Sequence, residues 1–169
     1  NPPQMARIAR AMADALGDLP LTAKIRTGWS ADSIVLPDAA KMLQDSGVRM
    51  LTVHGRTKAQ GYEGEADWDL IELMARSLEI IGNGSVEKLS SERLAESPCL
   101  GFMIGRAALG NPWIFSQMKS RLKNPGAVPE EPSASERARL ALRYAELVAS
   151  GNYSGISSEN LTHARSQIM

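Results

Sequence analysis

Four short stretches place chemically useful residues at the ends of apolar runs: Lys24-Ile25-Arg26, His54-Gly55-Arg56, Gly82-Asn83-Gly84 and Gly105-Arg106-Ala107-Ala108. Glycine turns let backbone N–H groups approach an anion closely, and a following helix N-terminus adds its dipole. Arginine supplies a bidentate donor fork. The last two stretches therefore suit a phosphate. For Gly82-Asn83-Gly84-Ser85 alone, a tight turn explains the glycines equally well. Gly105-Arg106 at the next strand end favours the phosphate, because two adjacent βα loops form a recurrent phosphate site.

Lys24 and Arg26 alternate along one strand and so share a face. A salt bridge to a neighbouring loop is one reading; a lysine set against an anionic or electron-accepting cofactor is the other. His54 ends its strand, where a core or capping histidine is the simpler reading. No second histidine or acid stands at metal-ligand spacing, so zinc is not indicated. Arg56 and Lys58 are followed by Tyr62 and Trp68, a mixture that pairs RNA phosphates and stacks bases, although a solvated loop is the plainer reading. Apolar Ala107 to Phe115, with Trp113, is explained by packing. Cys99 precedes the last strand, away from the ligand edge, and reads as structural and inert.

Successive stretches lie 30, 29 and 23 residues apart, and a βαβ unit needs roughly 30 residues. The predicted strands are Leu21 to Arg26, Met50 to His54, Glu79 to Gly82 and Gly101 to Ile104. Predicted helices cover Met5 to Leu16, Pro37 to Ser46, a segment through Leu70, Ile71 and Met74 capped by Asp67, Val86 to Glu96, and Pro112 to Leu122. Gly55 to Asp67 reads as a mobile functional loop. The alternation implies a parallel sheet with right-handed crossovers. Four strands do not close a barrel, which typically takes about 250 residues. The expected fold is thus α/β, a partial eight-stranded (β/α) barrel comprising strands five to eight, over residues 1–122. A Pro- and Gly-rich linker follows over 123–133. Residues 134–169 read as the start of an incomplete α-helical domain, with one helix from Ser135 to Ser150 and another near Ser158.

The chain has 169 residues, 43% of them hydrophobic, and a formal net charge of zero. No overall field draws it to nucleic acid or anionic membrane. A single cysteine rules out an internal disulfide framework and suits a reducing cytoplasm. No apolar run reaches the roughly 18 residues of a membrane span. The opening Asn1-Pro2-Pro3 lacks an initiator methionine and a signal peptide, and Ile168-Met169 ends without a cap, so both ends read as cut.

With these residues in place, the chain resembles the flavin-dependent tRNA dihydrouridine synthases. The match runs through Lys24-Ile25-Arg26-Thr27-Gly28-Trp29, Thr52-Val53-His54-Gly55-Arg56-Thr57, Gly82-Asn83-Gly84 and Met103 to Phe115. Order and spacing together carry it. The resemblance implies an FMN-binding barrel followed by a helical RNA-binding domain, with tRNA as partner. It places Lys24 near the N1/O2 edge of the flavin, where a cation stabilises the reduced ring. It sets His54 facing the flavin or the substrate base. Asn83, Gly84 and Ser85, with Gly105 and Arg106, would hold the FMN phosphate, and Arg26, Arg56 and Lys58 would contact RNA. In the implied reaction NADPH reduces FMN, hydride passes from flavin N5 to C6 of an extruded uracil, and a cysteine protonates C5. That cysteine belongs to an Asn-x-Gly-Cys-Pro loop that this chain lacks, and Cys99 is not its equivalent. The isolated chain is therefore expected to be inactive. It departs from the family at Ser85, where Asp is usual, and at Ser33 to Leu36, which is apolar. Two alternatives stand beside this. One is a non-catalytic half-barrel that binds phosphate or RNA and self-associates through its sheet edges. The other is a phosphate-binding barrel without flavin, disfavoured because no carboxylate base stands at the ligand edge.

Overall fold

A computed structural model describes residues 1–150 of the chain. They fall into two compact units that part between Gly105 and Arg106, ahead of the boundary expected at residue 122. In the first unit, helices α1 (Pro2–Leu16), α2 (Leu36–Asp45), α3 (Trp68–Ala75) and α4 (Ser91–Glu96) alternate with strands β1 (Leu21–Arg26), β2 (Val48–His54), β3 (Ile80–Asn83) and β4 (Gly101–Met103). All pairings are parallel, in the order β1-β2-β3-β4. A doubly wound sheet reverses its strand order part-way, whereas a barrel wall runs sequentially. The sheet follows the barrel pattern.

Local sequence accounts for most of these elements. The Asn1 side chain accepts from Gln4 N at 3.2 Å, and prolines occupy the first turn of α1. Asp67 caps α3 as expected, accepting from Leu70 N at 2.9 Å. Along β2 and β3, Leu51, Val53 and Ile80 are buried on the face that α2 and α3 cover, together with Leu36, Ala39, Ala40, Leu43 and Ile71. Burying each large apolar side chain contributes about 1.5–3 kcal/mol.

The single helix expected over Val86 to Glu96 is two pieces. A 3-10 turn spans Val86–Lys88, and α4 begins only after Ser90, whose hydroxyl accepts from Arg93 N at 3.1 Å. A serine hydroxyl at that position competes with helical continuation and starts a new helix instead. A 3-10 turn at Ala31–Ser33 and a bridge between Gly28 and Ile34 were not anticipated.

The second unit is described from Arg106 to Ser150. It holds a 3-10 turn at Arg106–Ala108, helix α5 (Ile114–Lys123) and helix α6 (Ala134–Ala149). Of the linker read from composition over 123–133, Lys123 is the last residue of α5, and residues 124–133 contain no helix or strand. A capping box starts α6: Glu136 N donates to Ser133 Oγ at 3.3 Å, and Ser133 N to the Glu136 carboxylate at 2.8 Å. The helix expected near Ser158 lies outside the described residues. Among the described residues no helix is long and apolar enough to cross a membrane.

Trp68 joins helix to sheet. Its ring lies over Gly82, where an added Cβ would stand 2.5 Å from Cζ3. Replacing Gly82 by Ala forces the buried indole aside, and overpacking of this kind costs about 1–3 kcal/mol. Urea unfolding of Gly82→Ala should show a lowered midpoint at unchanged slope; an unchanged midpoint would contradict the packing described.

Candidate functional site

Strand register aligns the functional residues. Arg26 pairs with His54, His54 with Asn83, and Asn83 with Met103, so the four strand ends form one row across the C-terminal edge of the sheet. Side chains two residues apart on a strand share a face, which puts Lys24 beneath Arg26 and Thr52 beneath His54.

Asn83 is the hub of this row. Its Oδ1 accepts from Lys24 Nζ at 2.9 Å, and its Nδ2 donates to the Met103 carbonyl at 2.7 Å. These two bonds orient the amide and tie β1 to β4 through β3. Lys24 is exposed in this chain. Partial burial, and then the like charge of Arg26, hold its ammonium below the usual lysine range.

The two arginines brace the loop after β2. Arg26 Nη1 donates to the carbonyls of Thr57 at 2.6 Å and Gly61 at 2.8 Å, and the guanidinium lies 5.7 Å from the centre of the Tyr62 ring. Arg56 is 2% exposed. Its Nε donates to the Glu63 and Gly64 carbonyls, each at 3.1 Å, and its Nη2 to Gly64 O at 2.7 Å and Ser85 Oγ at 3.0 Å. Lys58 N and Ala59 N donate to the carbonyls of Gly28 and Trp29, which zips this loop to the one after β1. The loop expected to be mobile is cross-braced throughout. Arg56 also departs from the expectation of a solvated residue presented to RNA, because backbone carbonyls enclose its guanidinium. Trp68 is likewise buried and cannot stack on a base; Tyr62 and Lys58 remain exposed.

Lys24, Arg26 and Arg56 share one property. Among the described residues none has a carboxylate within ion-pair distance. Their partners are an amide oxygen, a hydroxyl, backbone carbonyls and an imidazole. The salt-bridge reading of Lys24 and Arg26 thus finds no acid among the described residues. Dipoles solvate these charges without cancelling them, so the edge keeps surplus positive charge.

The turn after β3 faces this charge. Gly84 has φ +114° and Ser85 φ +49°, the one described non-glycine residue with positive φ. A Cβ on Gly84 would stand 2.7 Å from His54 Cδ2. Trp68 Nε1 donates to Gly84 O at 2.8 Å and pins the turn from below. His54 is 6% exposed, with Nε2 3.4 Å from Arg56 Nη1 and its ring 6.4 Å from that of Tyr62. A guanidinium only donates, so in this contact Nε2 takes the acceptor role. Thus the first unit brings together Lys24, Arg26, His54, Arg56, Asn83, Gly84 and Ser85. Gly105 ends that unit; Arg106, exposed, opens the second. The bracing by Arg56 and Trp68 was not foreseen, although the glycines at 82 and 84 signalled that something bulky must lie against the turn.

Cys99 precedes β4, with its thiol beside Gly82 and the Trp68 ring on the helix-covered face of the sheet, opposite the face that carries Lys24 and Asn83. Burial pushes its thiol up, which suits the inert reading. Among the described residues no group of three His, Cys, Asp or Glu side chains is placed to hold a metal ion.

A family model described as "Dihydrouridine synthase (Dus)" covers residues 1–167. The chain belongs to the dihydrouridine synthase family. A "Probable tRNA-dihydrouridine synthase" of Rickettsia conorii is 39% identical over 147 residues, covering 85% of this chain and 44% of the relative. One of Rhodobacter capsulatus is 36% identical over 154 residues, covering 89% and 47%. A "tRNA-dihydrouridine synthase B" of Vibrio vulnificus is 38% identical over 135 residues, covering 78% and 42%. The chain thus spans under half the length of these family members, and its α/β architecture of sequential parallel strands is consistent with a barrel-type dihydrouridine synthase fold.

The electrostatics yield a titration test. Lys24 should lose its proton at lower pH than the ordinary 10.5, and Arg26→Gln should move that midpoint upward. Between the lowered pKa and 10.5 the unfolded chain binds more protons, so this group's contribution to stability rises with pH there. Following the Lys24 side-chain NMR signal against pH checks both; a midpoint insensitive to Arg26→Gln would refute the like-charge coupling.

Proposed function

We propose that this chain forms the flavin-binding side of a tRNA-dihydrouridine synthase, an oxidoreductase that reduces uridine in tRNA to 5,6-dihydrouridine. The observation that carries the proposal is the set of three cations without carboxylate partners among the described residues, beside a glycine turn that leaves no room for a side chain at position 84. Surplus positive charge at a strand edge fits an anionic cofactor. FMN carries a phosphate and, when reduced, negative charge on its ring.

In this reading the N–H groups of Asn83, Gly84 and Ser85 bind the phosphate, joined by Gly105 and the fork of Arg106, its neighbour in the chain. Lys24, oriented by Asn83, offers its ammonium to the N1/O2 edge of the ring. Its lowered pKa makes that charge sensitive to an added anion, which draws the proton back. His54, with Nε2 toward the Arg56 guanidinium, faces the ring or the substrate base. Bound FMN supplies the hydride for C6 of the uracil, with NADPH as its reductant. Lys58 is the exposed cation that serves tRNA phosphates, and Arg26 supports that surface by holding Tyr62. Arg56 takes no RNA contact here, being enclosed. No residue of this chain is assigned the proton for C5, since burial pushes the Cys99 thiol up and its sulfur lies beside Gly82 on the helix-covered face, away from the face of Lys24 and Asn83. The isolated chain is accordingly proposed to be inactive in catalysis while retaining phosphate-binding groups. A tRNA substrate also accords with a cytoplasmic enzyme.

Titrating FMN into the purified chain, with flavin fluorescence quenching as readout, tests the proposal. Saturable binding is expected. Loss of a charge-assisted contact in Arg106→Ala should weaken it about tenfold. Asn83→Asp should weaken it too, because a carboxylate would neutralise Lys24 and repel the Met103 carbonyl. A folded chain that binds no FMN, or binds it equally well in both variants, would overturn the assignment.

A further inference from the structure

Arg56 is the residue whose placement the reaction chemistry above does not use. A guanidinium 2% exposed is costly to bury, and such groups are ordinarily matched by an acid. Here the matching groups are the Glu63 and Gly64 carbonyls on one side, and Ser85 Oγ and His54 Nε2 on the other. One rigid fork thus spans two loops. It reaches Ser85, whose φ of +49° non-glycine residues adopt only at a cost, and His54, whose ring packs against Gly84. Both ends of the anion-facing turn therefore depend on the same side chain.

We infer that Arg56 is a positioning residue for the phosphate turn: its fork holds Ser85 in the left-handed conformation and His54 in the Nδ1–H tautomer, so that the N–H groups of residues 84 and 85 face the phosphate of the cofactor. This rests on the FMN reading above and deepens it. The geometry of the fork matters beyond its charge. A lysine in its place keeps the charge but presents one ammonium, which cannot reach the Gly64 carbonyl, Ser85 Oγ and His54 Nε2 together. Arg56 itself need not touch the phosphate; it acts through the turn.

The test compares FMN with riboflavin, which has the same ring and no phosphate. Arg56→Lys should weaken FMN binding about tenfold, the scale of losing a charge-assisted contact, and riboflavin binding clearly less, since riboflavin feels only the change at His54. Adding Ser85→Gly should restore most of the loss, because glycine adopts positive φ without a brace. Equal weakening of both ligands, or failure of Ser85→Gly to restore FMN, would overturn the inference. If Arg56→Lys does not fold, Ser85→Ala removes the hydroxyl but keeps the peptide N–H, and it should show the same selective loss. A readout without cofactor stands beside these. The sequence contains two histidines, so histidine-selective ¹⁵N labelling with His163→Ala assigns His54 directly. At pH 8, Nε2 should report an unprotonated acceptor in the unaltered chain and a changed tautomer balance in Arg56→Lys; an identical spectrum in the two would also overturn the inference. Should the unaltered chain bind FMN no better than riboflavin, the phosphate reading fails, and the histidine spectrum alone still decides whether Arg56 sets the turn.

Discussion

Parallel hydrogen bonding in register is the constraint on which the rest depends. Because Arg26, His54, Asn83 and Met103 occupy one line across β1 to β4, residues far apart in the chain become neighbours at a single edge. A one-residue slip between two of these strands would turn every second side chain to the opposite face. Lys24 could then no longer reach Asn83, and His54 would leave the Gly84 turn. The buried side chains opposite, Leu51, Val53 and Ile80, oppose such a slip, since it would carry them out of the face covered by α2 and α3.

The edge built this way handles charge by solvation with fixed dipoles. Carbonyls of Thr57, Gly61, Glu63 and Gly64 serve as the oxygen ligands that water would otherwise provide to the two guanidinium groups. Backbone carbonyls stabilise a cation without removing its field. An acid in their place would have satisfied the same donors and left a neutral edge. The same bonds fold the long segment between β2 and α3 back on itself, so local backbone structure and electrostatic character have one origin.

Much of this was legible in the sequence where a local signal and the tertiary requirement coincide. Strand β1 falls on the residues expected, and Asp67 caps α3, because alternating apolarity and a short acidic side chain act locally. Lys24 and Asn83 could be named as site residues from their positions at strand ends. Their mutual hydrogen bond could not, since it spans an intervening strand and depends on register. The helix expected over Val86 to Glu96 failed on a single competing hydroxyl at Ser90. Arg56 was misread as solvated because a charged residue in a glycine-rich loop has no sequence mark that says carbonyls will surround it. Trp68 was misread for a related reason: its partner, the turn at Gly82 and Gly84, lies on another element.

Cations without an acid partner among the described residues would also couple anion binding to folding. Like charges held together oppose the compact state, and an anion that binds only the folded chain relieves that repulsion. Its stabilisation grows with the logarithm of its concentration relative to its dissociation constant. Lys24, whose hold on its proton is weakened first by burial and then by Arg26, is where that repulsion registers. A phosphate at this edge would therefore act as a structural counter-ion as well as a handle, and the abundance of folded protein would track cofactor supply.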